Sequence, residues 1–213
     1  MKKTIVLLLL YLSASSSVPA QGDKSDFVII GQQNWGTKNL AVTTFANGEK
    51  IDEAKTNDEW INAGKEKRAA WCYYENKSEN GATYGILYNW FAVTDPRGLA
   101  PKGWHVPTKN EWKQLISTVG TDGGTKLKNN GKWEAVGGQD RNGTNDYGFA
   151  ALPGGLRSGP DGKFNALGSR GQFWTSTQNE YRDGFIVYLG INAPVSSGIA
   201  NKSFGYSVRC MKD

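Results

Sequence analysis

The sequence predicts an α+β domain, in which many short strands joined by glycine turns carry a few helices. Three observations lead there. Short segments of alternating apolar residues recur along the chain, at 84–90, 185–189 and 206–210. The 213 residues include 27 Gly and 8 Trp, which implies many turns around large flat side chains. Only one stretch has a full helix signature, and neither an internal repeat nor an interdomain linker is visible.

Taken in order, residues 26–39 (DFVIIGQQNWGTKN) read as a short apolar strand, a turn near Gly31, and a continuation through Trp35. Residues 41–51 form a hairpin around Asn47-Gly48, a strong two-residue turn signal. Residues 56–68 hold a short helix capped by Asn57 or Asp58, with Trp60, Ile61 and Ala63 as its apolar side. Residues 69–75 (AAWCYYE) are an aromatic strand, and 76–81 a polar turn. In 84–90, Tyr84, Ile86, Tyr88 and Trp90 alternate with smaller or polar residues and give a strand with an aromatic face. Thr108 and Glu111 are spaced as a capping box. Behind them Trp112, Leu115, Ile116 and Val119 form one helical stripe, which Gly120 ends. This strand and helix are the expected nucleus, with Trp112 packed against Trp90 or Trp104.

Farther on, residues 125–128 make at most one helical turn, and Trp133 is a core plug. Residues 137–147 form a polar loop, and 158–164 a turn with Pro160 at its second position. Residues 173–177 are a strand whose Trp174 belongs to the core. Phe185, Val187 and Leu189 alternate along the next strand, and Tyr206, Val208 and Cys210 along the last. In that last strand Ser207 and Arg209 face away, so Cys210 points to the core.

Residues 1–20 read as a signal peptide: Lys2 and Lys3, an apolar run from Ile5 to Leu12, and the small-residue site Val18-Pro-Ala20. That leaves 21–213 as a single domain. The apolar run is shorter than the roughly 20 residues of a membrane-crossing helix, and no later stretch approaches that length. The expected location is the periplasm, the cell surface or the exterior. The formal charge of +5 includes two lysines of the signal peptide, and the remaining basic residues are scattered. Nucleic-acid binding therefore has no electrostatic footprint.

The residues limit the chemistry. His105 is the only histidine, which excludes a multi-His zinc site, and its neighbours Trp104 and Val106 suit a structural role. Cys72 and Cys210 would reach an oxidising compartment, so they either bridge or stay as two buried thiols. Asp140, Asn142, Asn145 and Asp146 could give calcium hard oxygen ligands, although their spacing is not that of an EF-hand.

Six ordered blocks carry a family resemblance: IGQQNWGTKNL, YGILYNWFAV, GWHVPTKNEW, GFAALPGGLR, GQFWTST and GYSVRCMKD. Together they resemble the Fibrobacter succinogenes major paralogous domain, an exported bacterial family often found in Bacteroidetes, over about residues 27–213. The resemblance implies a C-type-lectin-like fold akin to formylglycine-generating enzymes: twisted antiparallel sheets, flanking helices and long loops. Family members often carry Cys where this chain has Ala100, so no disulfide pairing carries over.

The expected function is a non-catalytic binding or adhesion domain, its partner a glycan or an extracellular protein. One alternative is an enzyme related to formylglycine-generating factors. No second Cys stands near Cys210, and no base–nucleophile arrangement is evident, which weighs against it. Another alternative is a structural component of a surface assembly. Lectin-like folds hold sugars with loop carboxylates, amides and a stacked aromatic, and Tyr147, Arg157, Trp174, Gln178 and Asn179 supply such groups. The expected contact face is made by loops 137–147, 157–164 and 178–182, with Asp146, Arg157 and Asn179 as contact residues.

Overall fold

The computed structural model describes residues 26–181, 183–190 and 194–213. The expected signal peptide at 1–20 and Arg182, part of the expected contact face, lie outside the described residues. Among the described residues, four small sheets and five α-helices make an α+β architecture, as the sequence predicts.

The chain begins with β1 (Phe27–Ile30) and β2 (Gln33–Gly36), antiparallel about a turn in which Gly31 takes a φ of +62°. The 41–51 hairpin turns at Asn47-Gly48 as expected, with Gly48 at a φ of +88° and a bridge between Thr44 and Lys50. After β3 (Asp52–Glu53), helix α1 (Asn57–Lys65) begins. Its cap is Thr56, in a capping box with Glu59, not Asn57 or Asp58. Thr56 satisfies the orphan N–H at the third helical position, which the two later residues cannot reach from inside the first turn.

Strand β4 (Ala70–Cys72) leads through a 3-10 turn (Tyr74–Asn76) into helix α2 (Ser78–Tyr84), where a turn had been expected. The aromatic strand of 84–90 is correspondingly short, β5 (Leu87–Tyr88). Gly85 at a φ of +75° stops α2 before it, and Asn89 caps α3 (Trp90–Val93) after it by accepting from the Ala92 N–H. The alternation still orders the packing, because Ile86, Tyr88 and Trp90 enter one core while Leu87 enters another.

Strand β6 (Trp104–His105) precedes α4 (Lys109–Val119), whose Thr108–Glu111 capping box and Gly120 stop match the sequence reading. Helix α5 (Gly123–Leu127) follows. Then come β7 (Gly154–Arg157) and β8 (Phe164–Leu167), and the sheet of β9 (Gly171–Gln178), β10 (Gly184–Leu189) and β11 (Ser196–Ala200). The chain closes on β12 (Met211–Lys212).

The β9–β10 pair is a partition. Trp174 and Ile186 face a first core with Ile86, Tyr88, Trp90, Tyr206 and Val208. Phe173, Val187 and Leu189 face a second core with Trp35, Trp112, Leu115, Val119 and Phe149. Trp112 therefore does not meet Trp90 or Trp104. Its ring lies 4.6 Å from Trp35 and 5.5 Å from Phe173, centroid to centroid. A third cluster beneath α1 gathers Trp60, Ala63, Cys72, Tyr74 and Leu87.

The last strand expected at 206–210 is instead an extended seam that touches every sheet. Gly205 pairs with Arg157 of β7, Tyr206 with Tyr88 of β5, and Ser207 with Phe173 of β9. Met211 then pairs with Trp35 of β2 and with His105 of β6. Both faces of this seam are buried. Tyr206, Val208 and Cys210 enter the first core, while Arg209 stacks over Phe149 and Phe173 of the second. It is one connection held by all four sheets.

Candidate functional site

A cleft of about 570 Å³ opens where four distant segments meet. They are the end of α1 (Gly64, Lys67), α3 (Phe91), the β9–β10 hairpin (Gln178, Asp183) and the 201–202 turn. A smaller groove of about 250 Å³, lined by Ile61, Gly159, Pro160 and Ser203, shares Gly64 and Asn201 with it. The two form one trough along the α1 edge.

Glycines bring these segments together. A Cβ on Gly64 would lie 2.7 Å from the Ser203 Cβ, and one on Gly205 would lie 2.8 Å from the Trp60 ring. Such approaches require the missing side chain, so the 201–205 turn seats directly against α1. On the opposite wall, a Cβ on Gly184 would come 2.5 Å from Trp90, which lets the hairpin base rest on α3. The Trp90 N–H donates to the Lys202 carbonyl at 3.0 Å, and its indole N–H to the Thr175 carbonyl at 3.2 Å.

The polar groups of the trough are positioned rather than loose. The Lys202 Nζ donates to Gln178 Oε1 and lies 4.2 Å from the Trp90 ring centroid. Asn201 Oδ1 accepts from the Ser203 N–H and hydroxyl. Both side-chain amides, which line the trough, also carry N–H donors beyond the oxygens so engaged. Lys67, at a φ of +55°, adds a second ammonium and Asp183 a carboxylate. The Phe91 ring supplies an aromatic surface among these groups, whereas Tyr181, 77 % exposed at the hairpin tip, is not among the residues lining the cleft.

The expected contact residues fall in different places. Asn179 belongs to this site, but as its brace. Its N–H donates to the Asp183 carbonyl at 2.8 Å, and its Oδ1 accepts from the Asp183 N–H at 2.7 Å, which pins the hairpin turn. Arg157 is corrected from surface contact to buried support, at 0 % exposure. Its guanidinium donates to the carbonyls of Ala54, Thr56 and Gly162 and lies over the Trp60 and Phe164 rings. Asp146 is exposed on the 137–147 loop, which lines neither part of the trough.

In that loop the candidate calcium oxygens hold the chain's own backbone. Asp140 Oδ1 accepts from the Asn142 N–H, Asn142 Oδ1 from the N–H groups of Gly131 and Trp133, and Asn145 Oδ1 from that of Ala150. Among the described residues no group of three or more His, Cys, Asp or Glu is placed to hold a metal ion. Of the other lectin-type candidates, Trp174 is core and Gln178 lines the trough.

The cysteines resolve in favour of separate thiols. Cys72 lies in the cluster beneath α1 and Cys210 in the first core, both free and buried. Burial pushes each thiol pKa up to about 12, so neither is a ready nucleophile. His105 is structural, with Nδ1 2.6 Å from Asp213 Oδ1 and Nε2 3.0 Å from Glu111 Oε1. Sequence reasoning missed Lys67, Phe91, Asn201 and Lys202. Only the paired turn residues of Asn201-Lys-Ser203 hinted at them.

The fold and the trough define an α+β domain with a preformed polar cleft assembled from loops and helix ends on a rigid, aromatic-packed scaffold. The chain belongs to the Fibrobacter succinogenes major domain family, whose sequence model matches residues 28–212. No curated protein matches the chain. No solved structure matches it either. Among the described residues no helix is long and apolar enough to cross a membrane.

Proposed function

We propose that this chain is an exported, non-catalytic binding domain, on a lectin-like scaffold, that takes a hydroxyl-rich ligand such as a glycan in the α1-edge trough. The observation that carries the reading is one preformed cleft lined together by the amides of Gln178 and Asn201, the Asp183 carboxylate and the Phe91 ring. Sugars present alternating hydroxyl edges and C–H faces, which amides, carboxylates and an aromatic ring match in turn. A cleft of about 570 Å³ falls within the usual range for small-ligand sites. A non-catalytic role is supported by the two inert thiols and by a histidine engaged through both ring nitrogens. Export is supported by the sequence pattern of residues 1–20.

The test is a glycan array probed with residues 21–213, with and without calcium. Hits are compared with Gln178→Ala and Asn201→Ala variants of unchanged thermal stability. The reading expects neutral or acidic glycans to be retained and both variants to lose at least about tenfold in affinity. An array on which the parent and both variants give the same signals would overturn it.

A further inference from the structure

A second pocket, about 500 Å³, lies away from the trough and has a different electrostatic character. Its walls come from the 37–41 loop, α2 with Gly85, the 129–132 turn and residues 150–152. Lys38 and Lys132 project from two of these walls, both exposed, and no carboxylate is among the lining residues.

The lining also covers buried positive charge. Arg209, at 0 % exposure, donates to Asn39 Oδ1 at 2.8 Å and to the Ala150 carbonyl at 3.5 Å, and Asn39 and Ala150 are both pocket walls. Its other acceptors are the carbonyls of Gly36 and Phe149, and its Nε has no partner. Lys128, 3 % exposed, sits next to the wall residue Asn129, with its Nζ 3.5 Å from the Arg141 carbonyl. Among the described residues neither cation forms an ion pair with Asp or Glu. Burial draws the Arg209 pKa down to about 9 and lowers that of Lys128 as well, as expected for charge without a counterion. Glu134 acts on Tyr84 at the end of α2 but lines no part of the pocket.

A buried cation that meets carbonyls, an amide oxygen and aromatic faces but no carboxylate lacks a full counter-charge, and an anion seated one layer away supplies what the fold omits. Hydroxyl and amide groups of Thr37, Thr83 and Asn129 surround the same space and suit a hydroxyl-bearing ligand. We propose that this pocket is a second binding site, selective for the carboxylate or sulfate group of an acidic saccharide.

Isothermal titration calorimetry of residues 21–213 tests this with four probes: a trigalacturonate, a sulfated disaccharide, inorganic sulfate and neutral cellotriose. At low ionic strength at least one of the two acidic sugars is expected to bind more tightly than both inorganic sulfate and cellotriose. Added salt should weaken that binding. A Lys38→Gln/Lys132→Gln variant, altered only at exposed positions, should keep its denaturation midpoint and lose at least about tenfold in affinity. Gln178→Ala should keep the affinity, which separates this pocket from the trough. Failure of both acidic sugars to bind, equal affinity for cellotriose or for inorganic sulfate, undiminished binding by the lysine variant, or loss of binding in Gln178→Ala would each overturn the assignment.

Discussion

Truncating Trp112 to alanine isolates what the second core contributes. The side chain is fully buried against Trp35, Phe149 and Phe173. Burial of a tryptophan removes roughly 150–250 Å² from water. At about 25 cal/mol per Å² this corresponds to roughly 4–6 kcal/mol, an upper bound because unfolded chains already hide part of that surface. One feature works the other way: the Trp112 indole N–H is buried without an acceptor, so its removal returns about 1 kcal/mol. A net loss of about 3–5 kcal/mol remains, the usual range for such truncations. With a urea m-value of about 2 kcal/mol per M, the midpoint should fall by roughly 1.5–2.5 M, followed by far-UV circular dichroism. Trp112→Phe drops the orphan N–H and keeps a ring, so it should cost only about 1–2 kcal/mol. Thr108→Ala removes the helix cap alone and should cost about 1 kcal/mol. A midpoint that moves less than about 0.5 M for Trp112→Ala would refute the claim that α4 is anchored through this ring.

Three further outcomes are expected. Arg157→Lys loses the planar fork that serves Ala54, Thr56 and Gly162, and should cost about 2–4 kcal/mol by urea titration; equal stability would show that an ammonium can serve the same carbonyls. Ellman's reagent should find no reactive thiol in the native protein and two after unfolding, and dithiothreitol should leave the melting temperature unchanged. A reductant-sensitive transition would instead reveal a bridge. Burial pulls the His105 pKa down, but the Asp213 and Glu111 carboxylates outweigh it, and the folded value lies above the ordinary 6.5. A group raised on folding stabilises fully below its unfolded pKa and loses that contribution as pH rises through the folded value. The stability difference between the parent and His105→Gln should therefore be at most about 1 kcal/mol near pH 5.5 to 6 and vanish by about pH 9, since the pair is partly solvent-screened. A difference that grows with pH would reverse this assignment.

Local signals were legible in the sequence, and assembled ones were not. The Thr108–Glu111 box and the stripe behind it involve residues within one or two turns of each other, so α4 could be read directly. The Asn47-Gly48 turn was legible for the same reason. Helix α2 escaped because Asn80 and Gly81 are poor helix formers, and its position depends on contacts elsewhere, such as the Asn80 side chain donating to the Tyr74 carbonyl. Arg157 looks like a loop cation in the string FAALPGGLR, yet its acceptors lie about a hundred residues earlier. The trough shares that character. Gln178 and Asn179 lie in a loop that composition marks as polar, whereas Lys67, Phe91 and Lys202 converge on it only through the packing of α1, α3 and the 201–205 turn.

The seam of residues 205–212 has a consequence in time as well as in space. Every sheet takes one of its pairings from this segment, and β2, near the beginning of the domain, meets Met211 almost at its end. The partition between the two cores therefore cannot close until residues 205–212 have been synthesised. Contacts this distant along the sequence also form slowly, because the long intervening loop must be ordered first.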